Sequence, residues 1–171
     1  MRSRIIYMIG FMGSGKSTAG KRLAASLGWE FLDLDRVIEE KAGKRIPQIF
    51  SQDGEAAFRK AESEALKGIK HPYGAVVATG GGTPCHEDNM DYMLEHGLTV
   101  YLKMTPDQLS HRLLESSTAR PLIQNISDED LPAFIGKALM TRESFYNRAE
   151  IIIQGINLDI NRLLALLREK M

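Results

Sequence analysis

With a single cysteine, Cys85, the chain can close no internal disulfide and can build no multi-cysteine metal site. That scarcity suits a reducing cytosol. Its histidines, at positions 71, 86, 96 and 111, are scattered without metal-ligand spacing, and Cys85-His86 reads as a helix start or a surface pair. Net charge is lacking too: Lys and Arg total 22, as do Asp and Glu. A neutral chain has no long-range basic field to gather DNA or RNA, so nucleic acid is not an expected partner. Any anion it binds must be held by individually placed groups. No stretch approaches the length of a membrane span. The apolar run near the start is too short for a signal peptide and leads straight into a glycine loop. Internal repeats and low-complexity segments are absent. What remains is 171 residues with 43% hydrophobic content, enough for one filled core. The expectation is a single domain over 1–171, cytoplasmic, monomeric and without a membrane partner.

Short β-branched runs alternate with longer helical patterns. The runs Ile5–Ile9, Glu30–Leu34, Ala75–Thr79, Leu98–Leu102 and Glu150–Ile153 are nearly continuous and apolar, as parallel strands covered on both faces should be. Lys16–Leu27 reads as a helix stopped at Gly28, and Glu55–Ile69 as another. Thr105-Pro106-Asp107-Gln108 is a capping box with proline at the first helical position. Ser127 is expected to open a helix whose stripe runs Leu131, Ile135, Ala138, Arg142 and Phe145. The last helix should bury Ile160, Leu163, Leu164 and Leu167. This alternation predicts an α/β fold, a parallel sheet wrapped by helices. The polar, aperiodic stretch Glu115–Asn125, with the lone Arg120, is either a plain surface loop or a mobile lid spanning about 114–126.

Between the first strand and the first helix, Gly10-Phe-Met-Gly-Ser-Gly-Lys16-Ser17 matches G-x-x-x-x-G-K-[ST] in full. Glycines let backbone N–H groups turn inward around an anion, and the helix N-terminus adds positive partial charge. Gly13, Ser14, Gly15 and Thr18 belong to that cradle. Lys16 supplies a point charge to the β- and γ-phosphates, and Ser17 offers a hydroxyl to Mg²⁺. An ordinary glycine turn would not need the whole pattern in this setting, so nucleotide binding is expected.

After the second strand come Asp33 and Asp35, two residues apart. If the strand still runs there, both side chains point to one face, beside the phosphate loop. One carboxylate could hold the hydration shell of Mg²⁺ while the other accepts a hydroxyl proton. Asp35 could also be the N-cap of the helix that follows, and the two roles are compatible. Arg59 and Glu62, three apart on one helix, face each other, as a surface ion pair would. Arg142 falls on an apolar stripe, where a charge must be paired or must face a wet site. It is either half of a buried salt bridge or a bidentate anion holder. Gly80, Gly81 and Gly82 end the third strand, and three such residues in a row favour close approach of backbone to a ligand.

These pieces together resemble the shikimate kinase family. They are the loop Gly10–Thr18, Asp33-Leu34-Asp35, Phe58-Arg59-Lys60-Ala61-Glu62, Thr79-Gly80-Gly81-Gly82, Arg120-Pro121-Leu122 and Arg142-Glu143-Ser144-Phe145-Tyr146. The resemblance spans about 5–149. It implies a three-layer P-loop fold of the nucleoside-monophosphate-kinase type, with a five-stranded parallel sheet, and ATP-dependent phosphorylation of shikimate. By that similarity Asp35, Arg59, Arg142 and the triple glycine bind shikimate, the arginines holding its carboxylate and Asp35 its ring hydroxyls. Asp33 would stand in the second shell of Mg²⁺, and Arg120 would come from the lid to the transferred phosphate, acting with Lys16 and Asp35. An arginine beside the adenine is implied shortly before the lid, where Arg112 is the nearest candidate although its offset from Arg120 departs from the family pattern. A second adenine contact is expected at about 155–161, read here as Asn157. Pro84 also departs, following the triple glycine where the family has an aliphatic residue. The rival readings are a gluconate- or adenylate-kinase-like enzyme, or a nucleotide-dependent switch without acceptor chemistry.

Overall fold

The computed structural model describes residues 4–71, 73–116 and 123–171. Its centre is a parallel sheet of five strands: β1 (Ile5–Ile9), β2 (Glu30–Asp33), β3 (Ala75–Ala78), β4 (Leu98–Lys103) and β5 (Ile151–Gln154), in the order β2-β3-β1-β4-β5. The inner strands read as unbroken apolar runs because both faces are covered, and β1 and β3 are buried at every position. The helices α1 (Lys16–Leu27), α2 (Leu34–Ala42), α3 (Ile46–Asp53), α4 (Glu55–Lys67), α5 (Asn89–His96), α6 (Pro106–Glu115), α7 (Leu131–Tyr146) and α8 (Ile160–Lys170) make up the two outer layers. One face of the sheet packs with Leu23, Val76, Val100 and Leu163, the other with Tyr7, Leu34, Leu66, Leu139 and Tyr146. The sandwich of three layers is therefore the expected P-loop architecture.

Several boundaries shift for local physical reasons. The second strand stops at Asp33, not Leu34, because the Asp33 carboxylate accepts the Asp35 N–H and starts α2. Asp33, and not Asp35, is thus the N-cap. Thr105 and Gln108 form the expected capping box at α6. Ser127 does not begin a helix: its hydroxyl donates to the Asp130 carboxylate in a turn, and α7 starts at Leu131 with Pro132 in its first turn. Along α7 the buried stripe is Leu131, Ile135, Leu139 and Tyr146, with Ala138, Arg142 and Phe145 half-buried at its border. At α8, Ile160, Leu163 and Leu167 are buried and Leu164 only half so. The order of strands puts β1 between β3 and β4, so the loops after β1, β2 and β3 gather at one edge of the sheet, where α/β folds bind ligands.

Candidate active site

Residues 10–17 form that edge's central loop. Gly15 adopts φ 88°, and a Cβ there would lie 2.7 Å from Nη1 of Arg112, so glycine meets both the backbone and the space requirement. Lys16 Nζ donates to the carbonyls of Gly10, at 2.8 Å, and Phe11, at 3.0 Å, and is held against the loop. The Ser17 hydroxyl donates to Asp33 Oδ2 at 3.1 Å, leaving the oxygen's lone pairs turned elsewhere. Gly13, Lys16, Ser17, Asp33 and Asp35 line a cleft of about 430 Å³. Thr79, Gly80 and Gly81 close it from β3.

Beside this cleft lies a second of about 320 Å³, lined by Ser14, Leu158 and Gly155 and sharing Gly15, Thr18 and Arg112 with the first. Asn157 faces it as well, with φ 48°, a conformation uncommon outside glycine. Arg112 and Asn157, far apart in sequence, line this one space.

On the other side a smaller cavity of about 160 Å³ shares Met12, Asp35, Gly80 and Gly81 with the main cleft. Its polar wall is Arg59, Glu62, Gly82 and Arg142, and its apolar wall is Ile46, Phe50 and Phe58. Arg59 is no surface residue. Its Nη1 donates to Glu62 Oε1 at 2.9 Å, and the Glu62 side chain is only 1% exposed. The other Glu62 oxygen accepts from the Thr83 hydroxyl at 2.8 Å, and Glu55 stands 3.7 Å from Arg59 Nε. At Gly82 a Cβ would come within 2.7 Å of the Arg59 guanidinium, so the glycine is what lets this turn approach the arginine.

Arg142 behaves differently. Its guanidinium lies over the Phe11 ring, 5.3 Å from the centroid. Among the described residues no carboxylate comes within salt-bridge range of it. A buried salt bridge is therefore not what places Arg142, and its fork borders a cavity that Arg59 also lines.

The fields in this pocket are mixed. Burial, followed by the charges of Asp33 and Glu62, pushes the Asp35 carboxyl up to about 6, with Lys16 acting in the opposite direction. Burial likewise raises the Cys85 thiol to about 11, against the pull of Arg142 and Arg59. Cys85 sits in a short 3-10 turn, Thr83–Cys85, in which Pro84 is buried, and His86 follows the turn half-buried. No cluster of three or more His, Cys, Asp or Glu among the described residues is arranged for a metal. Arg120 and the middle of the expected lid, residues 117–122, lie outside the described residues.

Sequence reading missed Met12 as a wall of two cavities, Thr83 and Tyr146 as the residues that hold Glu62 and Gly81 in theirs, and the depth at which Glu62 lies. Two of these carried a signal: Thr83 directly follows the triple glycine, and Tyr146 stands four residues, about one helical turn, after Arg142.

A family model described as shikimate kinase matches residues 12–165. A shikimate kinase of Phocaeicola vulgatus is 43% identical over 157 residues, spanning 92% of this chain and 90% of its own. The crystal structure of shikimate kinase from Bacteroides thetaiotaomicron superposes with a TM-score of 0.90 at 38% identity, covering 96% of this chain and 98% of that one. Shikimate kinase from Acinetobacter baumannii, solved in complex with shikimate, gives 0.86 at 33% identity, with 98% and 94% covered. With a complete phosphate loop at the sheet edge, an arginine-lined cavity beside it and these likenesses along nearly the whole length, the chain belongs to the shikimate kinase family.

Proposed function

We infer that the protein transfers the γ-phosphoryl group of ATP to the 3-hydroxyl of shikimate, giving 3-phosphoshikimate and ADP on the way to aromatic amino acids. The observation that carries this reading is the cavity next to the phosphate loop, where Arg59, Arg142 and Asp35 face one space. Two planar forks suit a carboxylate, and a carboxylate beside them suits ring hydroxyls.

In this reading the loop residues Gly13 to Thr18 hold the phosphates, and Arg112 and Asn157 flank the adenine. Shikimate's carboxylate lies between Arg59 and Arg142, with the backbone of Gly80, Gly81 and Gly82 against it. Asp35 orients the acceptor hydroxyl and takes up its proton, a role to which a carboxyl raised to about 6 is suited at neutral pH. Lys16 neutralises charge on the transferred group, and Arg120 is assigned the same task from the lid. The residues also fit Mg²⁺: the Ser17 hydroxyl donates to Asp33, so its oxygen keeps lone pairs for a hard cation next to the phosphates. Ser17 would hold the ion directly and Asp33 through its water shell; when bound, it supplies charge neutralisation on the phosphate oxygens. Most of the rate enhancement is then positioning and electrostatics. No helix among the described residues is long and apolar enough to cross a membrane, and a cytoplasmic monomer meeting only small molecules completes the reading.

An acceptor screen tests it. Release of ADP, followed by a coupled assay, should require shikimate and should not respond to gluconate or AMP. ADP release with either of those and none with shikimate would overturn the reading.

A further inference from the structure

The triple glycine poses a mechanical question. Three residues without side chains have nothing of their own to hold a conformation, yet the proposed acceptor site uses their backbone. The carbonyls of Gly80 and Gly82 are held locally, accepting the N–H groups of Thr83, at 3.2 Å, and Cys85, at 3.0 Å. The middle carbonyl is held from far away in sequence. The hydroxyl of Tyr146 donates to Gly81 O across 65 residues, at 2.5 Å.

Tyr146 is well placed for this. Its side chain is fully buried, and its ring packs on Tyr101 of β4 with centroids 5.0 Å apart. Burial pushes its phenol far above the ordinary value, so it stays a donor at any working pH. One helical turn earlier on α7 is Arg142, whose Nη1 lies 3.3 Å from where a Gly81 Cβ would stand. The chain contains no cis peptide among the described residues. In a trans peptide the carbonyl of one residue and the N–H of the next point in opposite directions. Holding the Gly81 carbonyl toward α7 therefore turns the Gly82 N–H away from it. No partner for that N–H occurs among the described residues, and Gly82 lines the cavity that Arg59 and Arg142 border.

We propose that Tyr146 is a positioning residue of the acceptor site, its hydroxyl fixing the triple-glycine turn so that backbone N–H groups, Arg59 and Arg142 converge on the acceptor's carboxylate. The proposal rests on the shikimate reading above. Tyr146 lines none of the three cavities; it acts through Gly81 and on the Arg142 guanidinium beside its hydroxyl.

The test is Tyr146→Phe, which removes one oxygen and keeps the ring, together with Tyr146→Leu and the control Tyr101→Phe. A neutral hydrogen bond of ordinary net strength corresponds to about three- to tenfold in an equilibrium constant. In both Tyr146 variants the KM for shikimate should rise by about that factor, while the KM for ATP and kcat stay within about twofold of wild type. Shikimate should also raise the Tm of these variants less than it raises that of wild type, with the Tm gain from a non-hydrolysable ATP analogue preserved. Tyr101→Phe should change neither KM. A lowered Tm with both KM values unchanged would make Tyr146 merely structural, and a common rise in both KM values would do the same; either overturns the proposal. If Tyr146→Phe does not fold, the Tyr146→Leu values decide. Wild-type protein that releases no ADP with shikimate would overturn the underlying reading, and this assignment with it.

Discussion

Asp35 stands half-buried between Asp33 and Glu62, and the fold holds it there at a cost. A free aspartate loses its proton near pH 4, while this one keeps it to about 6. Between those values the folded state binds a proton that the unfolded chain has released, so stability falls as pH rises through that window and stays lower above it. Asp35→Asn should accordingly raise Tm at pH 8 and leave it nearly unchanged at pH 4. The same variant should lose about 10²-fold in kcat if the carboxylate acts on the acceptor hydroxyl. Since Asp33 caps α2, loss of a cap cannot explain such a result. For wild type, kcat/KM for shikimate should fall as pH drops through about 6. A rate of Asp35→Asn within a few-fold of wild type, or a Tm that drops at pH 8, would contradict this role. Arg142 gives a second test at this scale. Lysine keeps the charge and loses the fork, so Arg142→Lys should raise the KM for shikimate by about ten- to a hundredfold, as loss of a charge-assisted hydrogen bond implies. The KM for ATP should move much less. Because no acid partners Arg142 among the described residues, Tm should change little. A destabilised variant with an unchanged shikimate KM would refute the clamp.

Among the elements, legibility followed the range of the interactions that decide each one. α1 is bounded at both ends as the sequence predicts, since Gly28 is a left-handed C-cap and the glycine loop fixes its start. The capping box at Thr105 was equally plain. The ends of β2 and the start of α7 were not, because each turns on one side-chain hydrogen bond, Asp33 to the Asp35 N–H and Ser127 to Asp130. The short helices α3 and α5 carry too few periodic residues to stand out, and α3 is held through Arg45, Gln48 and its neighbour α4. In the site, the phosphate loop and the arginines were readable as types. The depth of Glu62 was not, because it comes from Thr83, 21 residues away. That link ties α4 to the turn after β3, and Asn89 Nδ2 extends it by donating to the Thr83 carbonyl. Thr83→Val keeps the shape and removes one hydrogen bond to a buried carboxylate, at a cost of about 1.5–3 kcal/mol. A Tm lower by several degrees in a thermal melt is expected, and an unchanged Tm would show that Glu62 has another way to be satisfied.

At the scale of the whole molecule, the sequence implied a parallel sheet but not its order. The pairing of β1 with β3 and β4 joins residues some 70 and 90 positions apart, Ile5 with Ala75 and Ile6 with Leu98, and no local pattern encodes it. That order is nevertheless what sets the phosphate loop, the Asp33–Asp35 turn and the triple glycine side by side, so the three adjoining spaces follow from topology. The central claim is that phosphoryl transfer runs from the loop to a hydroxyl of an acceptor held by two arginines. The most direct measurement is phosphorus NMR of a reaction of purified protein with ATP, Mg²⁺ and shikimate. A phosphomonoester signal growing in step with ADP, and coupled to the ring proton at carbon 3, is the expected result. ADP accompanied only by inorganic phosphate, or a phosphoester coupled to any other ring position, would contradict it.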